Sequence, residues 1–233
     1  MKKLDSFTLK IIAIITMLLD HIYTYMIPAG VDVPIWFGYL GKLSAPIFFY
    51  LIVEGFFHTR NRKKYLSRLA IFGVAMIGVD IIFGIHNNIF LSLTLSILIL
   101  MIIDFAKNSE KTIMWIPAIV GVVILGALYI FTEASLYGLG MTLIFYIFRE
   151  KKMTMALIYV GFSLLPVFSV IGMPEAYEQL FLFDYQWMMV FSIILILMYN
   201  GKLGIKNIFT KWMFYIFYPV HLIIVSLIAK MIA

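Results

Sequence analysis

A chain of 233 residues, 64% hydrophobic and only 13% charged, carries about half the charge of an ordinary soluble domain and cannot cover itself with a water-facing surface. Its net charge of +6 does not mark a nucleic-acid binder, because the cations gather in short clusters between apolar runs. Cysteine is absent, which excludes a disulfide framework, a thiol nucleophile and a thiolate metal site.

The apolar runs are long and continuous rather than short and alternating, so they predict membrane helices and not barrel strands. A bilayer core about 30 Å thick takes roughly 20 helical residues. By that ruler the chain reads as an all-α polytopic bundle of about nine transmembrane helices, at 8–28, 34–57, 65–84, 88–106, 112–131, 135–149, 153–172, 179–199 and 211–231. No linker, composition shift or internal repeat divides it, so residues 1–233 read as a single transmembrane domain.

The first span follows Lys2 and Lys3, as a signal peptide would, but Asp20 and His21 within it and eight further spans predict a retained helix. Thr16, Asp20 and Thr24 share one face, with His21 beside it. Sequence neighbours on a helix point roughly 100° apart, so Asp20 and His21 are expected to share a cavity rather than to bond directly. In the second span Lys42, Pro46, Tyr50, Glu54 and His58 recur every fourth residue, forming one stripe, and Pro46 is expected to bend the helix. The run that follows, EGFFHTRNRKKY, gathers Glu54, His58, Arg60, Arg62, Lys63 and Lys64 at one mouth. Asp80, in the third span, needs a partner, for which Lys42 is the candidate. Asn88, Ser92 and Ser96 continue a polar stripe, the serines being expected to bond their own backbone. YNGKLG, with Asn200-Gly201 and Lys202, reads as a tight turn. The last span places Tyr218 one turn before His221, near the midplane and beside Pro219.

The positive-inside rule gives orientation. With the N-terminus cytoplasmic and the C-terminus outside, the inner segments hold Lys2, Lys3 and Lys10, the Arg60–Arg68 cluster, Lys107 and Lys111, Arg149 to Lys152, and Lys202 to Lys211. Asp32, Glu133, Glu175, Glu178 and Asp184 then fall outside. There is no P-loop, no H-E-x-x-H, no G-x-S-x-G and no c-type haem motif, so ATP-driven transport and metalloprotease chemistry are not expected, and no metal is.

Four segments, LDSFTLKIIAIITMLLDHI, GKLSAPIFFYLIVEGFFHTRNRKKYLSRL, YNGKLG and FYIFYPVHLIIV, resemble the TraX family of bacterial membrane proteins. The resemblance covers both ends and the second span, while residues 90–190 share only hydropathy. It implies an acetyltransferase of the bacterial cytoplasmic membrane. The family's founding activity is acetylation of pilin N-termini, and it is distantly similar to acyltransferases that carry acetyl groups from cytoplasmic acetyl-CoA to acceptors outside. Where the family commonly has Arg, this chain has Lys42, which keeps the charge but loses the planar fork.

Acetyl-CoA needs a cationic rim, for which Arg60, Arg62, Lys63, Lys64, Asn200 and Lys202 are candidates, with Glu54 and His58 at the same mouth. The second-span stripe is a candidate wall for the pantetheine arm. Acetyl transfer needs a base and an oxyanion stabiliser. His21 with Asp20 is the first choice of base, and His221 with Tyr218 is its rival or a relay. Lys42 is assigned either to the oxyanion or to neutralising Asp20 or Asp80. The acceptor would be an amine or hydroxyl outside, on a protein N-terminus or a surface glycan. A transporter or flippase of a small anionic or lipid-linked substrate is the alternative, and a non-catalytic assembly subunit a third. A tunnel meeting at His21 or His221 favours transfer, and a cavity open alternately to each side favours transport.

Overall fold

The computed structural model describes residues 3–233, so Lys2 lies outside the described residues. Among these the fold is all helical, apart from one isolated parallel bridge between Leu4 and Tyr199. Seven helical stretches are long and apolar enough to cross a membrane. Ala176–Phe183 and Gln186–Leu197 would together make an eighth, bent by 63°. The residues read as a sixth span form a 13-residue helix, about 20 Å long and short of a 30 Å core. The chain is a multi-pass membrane protein, and it divides into two compact units.

Unit 1 comprises the residues up to Phe48 and those from Phe148 onward. It contains α1 (Ser6–Met26), α2 (Trp36–Gly41), the first turn of α3 (Ser44–His58), α8 (Lys152–Ser163), α9 (Leu165–Val170), α10 (Ala176–Glu178), α11 (Ser192–Leu197) and α12 (Ile208–Ile232). Both long helices start at strong caps. Asp5 accepts from the Thr8 N–H at 2.8 Å, which with the Thr8 hydroxyl holds its carboxyl below the usual carboxylate range. Asn207 and Thr210 form a reciprocal capping box at the head of α12. The YNGKLG turn uses Gly201 and Gly204 at φ of +80° and +71°, and a side chain at Gly204 would meet the Asp5 carboxylate.

The second span, Trp36–His58, is one membrane-length stretch whose short interruption precedes its proline. Lys42 and Leu43 separate α2 from α3, and Pro46 sits in the first turn of α3, where a missing N–H leaves no intrahelical bond unmade. The four-residue stripe from Lys42 to His58 therefore starts outside its helix. Ser44 ties this break to α1 by donating to the Ala13 carbonyl at 2.9 Å. Tyr39 ties α2 to the bent segment by donating to the Phe181 carbonyl at 2.6 Å.

Unit 2 runs from Phe49 to Ile147 and holds the rest of α3 with α4 (Arg62–Phe83), α5 (Ile89–Lys107), α6 (Trp115–Tyr129) and α7 (Ser135–Ile147). α5 is its buried centre, and α4 and α6 turn Ile71, Val74, Ile81, Ile119 and Val123 outward, as a lipid solvent allows. The Ser96 hydroxyl does bond its own helix, at the Ser92 carbonyl. It also meets the Tyr129 and Thr142 hydroxyls at 2.8 and 2.9 Å, a buried junction of three helices. Asp80 pairs with His86 at 2.8 Å, which corrects the expected Lys42 partner: a group six residues away in the same connection satisfies it.

Candidate active site

α1 and α12 lie side by side and run in the same direction. At their heads, Leu4 N–H donates to the Met198 carbonyl and Ser6 N–H to the Lys202 carbonyl, which sets the two helices in register. At their far ends Met26 packs with Val225 and Ala229. His21 lies fifteen residues into α1 and His221 thirteen into α12, about 22 and 20 Å from the two heads at 1.5 Å per residue. α1 begins two residues and α12 three residues earlier than the expected spans, and the two histidines stand at one level.

The two histidines, weighed separately as rivals, form one pair. His21 Nδ1 and His221 Nε2 are 2.6 Å apart, and both residues are buried. The ring centroids are 4.9 Å apart at 18°. With the nitrogens that close, the separation is accounted for by one ring radius on each side, so the rings meet edge to edge in nearly one plane. The hydrogen bonds dictate the protons. His221 Nδ1 is 2.7 Å from the Phe217 carbonyl, which can only accept, so that nitrogen carries the proton. His221 Nε2 is then a lone pair and accepts from His21 Nδ1–H. His21 Nε2 is left as the basic nitrogen of the chain. Phe217 stacks on His221 at 4.7 Å, and the buried Tyr218 ring stands edge-on to both imidazoles, 6.1 and 5.8 Å away.

Asp20 does not orient His21. It accepts from Lys42 at 3.2 Å, each side chain about one quarter exposed, so of the two partners open to Lys42 the structure selects Asp20. Lys42 also lies 5.3 Å from the Tyr185 ring, which meets Tyr23 and Tyr39 edge-on. Sequence reading missed Tyr185. Its one signal was an aromatic polar residue in FDYQW, between two apolar runs.

The expected donor rim is divided between the units. Asn200 and Lys202 belong to unit 1, where the Asn200 side chain accepts from the Lys202 N–H at 2.8 Å and shapes the turn. Glu54, His58, Arg60, Arg62, Lys63 and Lys64 belong to unit 2. Glu54 is buried, and His58 Nδ1 donates to the Glu54 carbonyl at 2.8 Å. Arg60, Lys63 and Lys64 are exposed at the head of α4, which Asn61 caps. Arg62 is committed to Asp104, missed in the sequence, and lies 4.1 Å over the Phe56 ring. Arg62→Ala should therefore cost about 1–2 kcal/mol of stability, seen as a lower unfolding midpoint in detergent, while Arg60→Ala leaves it unchanged. Equal midpoints would return Arg62 to the rim.

Comparison with known proteins adds a family. The family model described as TraX protein matches residues 6–229. The chain is also similar to the "Probable fimbrial assembly protein FimC, serogroup H1" of Dichelobacter nodosus, 30% identical over 243 residues, covering 94% of this chain and 93% of that protein. No solved structure matches it.

Proposed function

We propose, from the premise that this chain belongs to the TraX family, that it is an acetyltransferase of the bacterial cytoplasmic membrane, moving an acetyl group from acetyl-CoA to an amine or hydroxyl acceptor. The observation that carries this reading is the hydrogen-bonded line from the Phe217 carbonyl through His221 to His21. It fixes both tautomers and leaves one lone pair at a buried nitrogen. That is the logic of an oriented general base, with a carbonyl in place of the usual carboxylate.

In the proposed reaction His21 Nε2 takes the proton of the acceptor as its nitrogen or oxygen attacks the thioester carbonyl carbon. Positive charge on His21 is shared with His221 by the bond between them. When the tetrahedral centre collapses, the C–S bond breaks and the sulfur leaves with the proton held by His21. Acetyl-acceptor and the free thiol are the products, so atoms and charge balance without an acetyl-histidine. Tyr218 walls the pair, and Lys42 is assigned to neutralising Asp20. Donor phosphates fall to one of two basic clusters, Arg60, Lys63 and Lys64 in unit 2 or Lys202 and the lysines after it in unit 1, with Arg62 holding Asp104. The name of the fimbrial relative directs the acceptor search first to fimbrial subunits.

The test is thiol release from acetyl-CoA by the purified, reconstituted protein, with and without a peptide bearing a free N-terminal amine. Acceptor-dependent release supports transfer. No release from folded protein across amine and hydroxyl acceptors would overturn the reading in favour of transport.

A further inference from the structure

Unit 1 has a pocket lined by none of the residues assigned to the acetyl-transfer step itself. It has a volume of about 450 Å³, within the range of small-molecule sites, and it lies where α1 and α12 begin. Its lining holds three cations, Lys10, Lys206 and Lys211, and no carboxylate. The nearest acid named above, Asp5, is held by Thr8 at the α1 cap. Leu203, Ile205 and Ile208 are each more than half exposed, so lysines alternate with apolar side chains that remain largely uncovered among the described residues. Topology alone asks for lysines on this side. It does not ask for a cavity among them, nor for exposed aliphatics between them.

We infer that this pocket binds a phosphate ester carrying a long uncharged arm, with Lys206 and Lys211 on the phosphate and the Leu203–Ile208 wall on the arm. Ammonium groups at a rim suit phosphate as point charges. Two sources share this chemistry. One is coenzyme A, whose extended pantetheine arm of about thirteen bonds reaches on the order of 16 Å, comparable to the 20 Å from the helix heads to the histidine pair. The other is an anionic phospholipid, whose headgroup would seat among the lysines while its chains enter the bilayer. The coenzyme A arm rests on the acetyl-transfer reading, and the lipid arm stands without it.

The experiment compares wild type with Lys206→Gln/Lys211→Gln, and with Lys63→Gln/Lys64→Gln at the competing basic cluster. Coenzyme A binding is measured in detergent by equilibrium dialysis, and phosphatidylglycerol against phosphatidylcholine retention by lipid analysis after nanodisc exchange. Loss of about tenfold or more in coenzyme A affinity in the 206/211 variant alone places the donor here. Unchanged coenzyme A binding with lost phosphatidylglycerol preference assigns the pocket to lipid. If both persist in the 206/211 variant, with the fold intact by circular dichroism, the inference is overturned. Should transfer fail in wild type while either ligand binds through these lysines, the acetyltransferase reading falls and the pocket stands.

Discussion

Replacing His21 by Ala is expected to lower kcat/KM for acetyl transfer by about 10²–10⁴-fold, the range a positioned general base supplies, equivalent to about 3–5 kcal/mol of transition-state stabilisation. His221→Ala should lower kcat by at least about 10²-fold with KM little changed, because it removes the acceptor that keeps the proton on His21 Nδ1. The double variant should be little worse than His21→Ala, since residues acting as one unit are not additive. Steady-state kinetics on the three variants, with acetyl-CoA and an amine acceptor, check this. Losses that multiply would mean two independent histidines, and full activity of His21→Ala would end the mechanism proposed here. Phe217 takes part through its carbonyl and not its ring, so Phe217→Leu should keep most of the rate.

The second large effect concerns Lys42. Removing its charge in Lys42→Met leaves the Asp20 carboxylate without its counter-ion, and the unfolding midpoint in detergent should fall by the equivalent of about 2 kcal/mol. That figure is below the 3–5 kcal/mol of a fully buried pair because each side chain is about one quarter exposed. Adding Asp20→Asn should recover most of the loss, because the unpaired charge goes with it. Activity separates the two roles open to the lysine. A double variant that is stable and active makes Lys42 only the counter-ion of Asp20, whereas one that is stable but loses about 10²-fold in kcat restores Lys42 as an oxyanion stabiliser.

Where the apolar run is continuous, the sequence specifies the helix well. The expected spans at 8–28, 65–84 and 88–106 correspond to α1, α4 and α5 within a few residues. The breaks were not legible. Hydropathy averages over a window and does not register the turn at Lys42 and Leu43 or the 63° bend before Gln186. The proline that seemed to mark a bend lies where proline is harmless. Of the site, Asp20, His21, Lys42, Tyr218 and His221 were each legible as polar or unusual residues in apolar surroundings. Their partnerships were not, because a pairing across 200 residues depends on the register of two helices, and that is set by backbone bonds at Leu4 and Ser6 with no side-chain signature. Asp104 escaped notice for a related reason: its partner Arg62 looked like one more topology-setting cation.

The parallel register of α1 and α12 has a consequence for the order of assembly. Unit 2 is built from helices that neighbour one another in the chain, whereas unit 1 closes only when its two ends meet across everything between them. The entropy of closing so long an interval is recovered only as the final contacts form, so local contacts in unit 2 are available first. During synthesis α1 enters the membrane early with His21 unaccompanied, and Leu4 has no strand partner until Tyr199 emerges. The buried imidazole chain is thus created by the same late event that seats α12. A ribosome-bound intermediate would hold His21 without the neighbour that fixes its tautomer, so the proposed base would be completed only when α12 is seated.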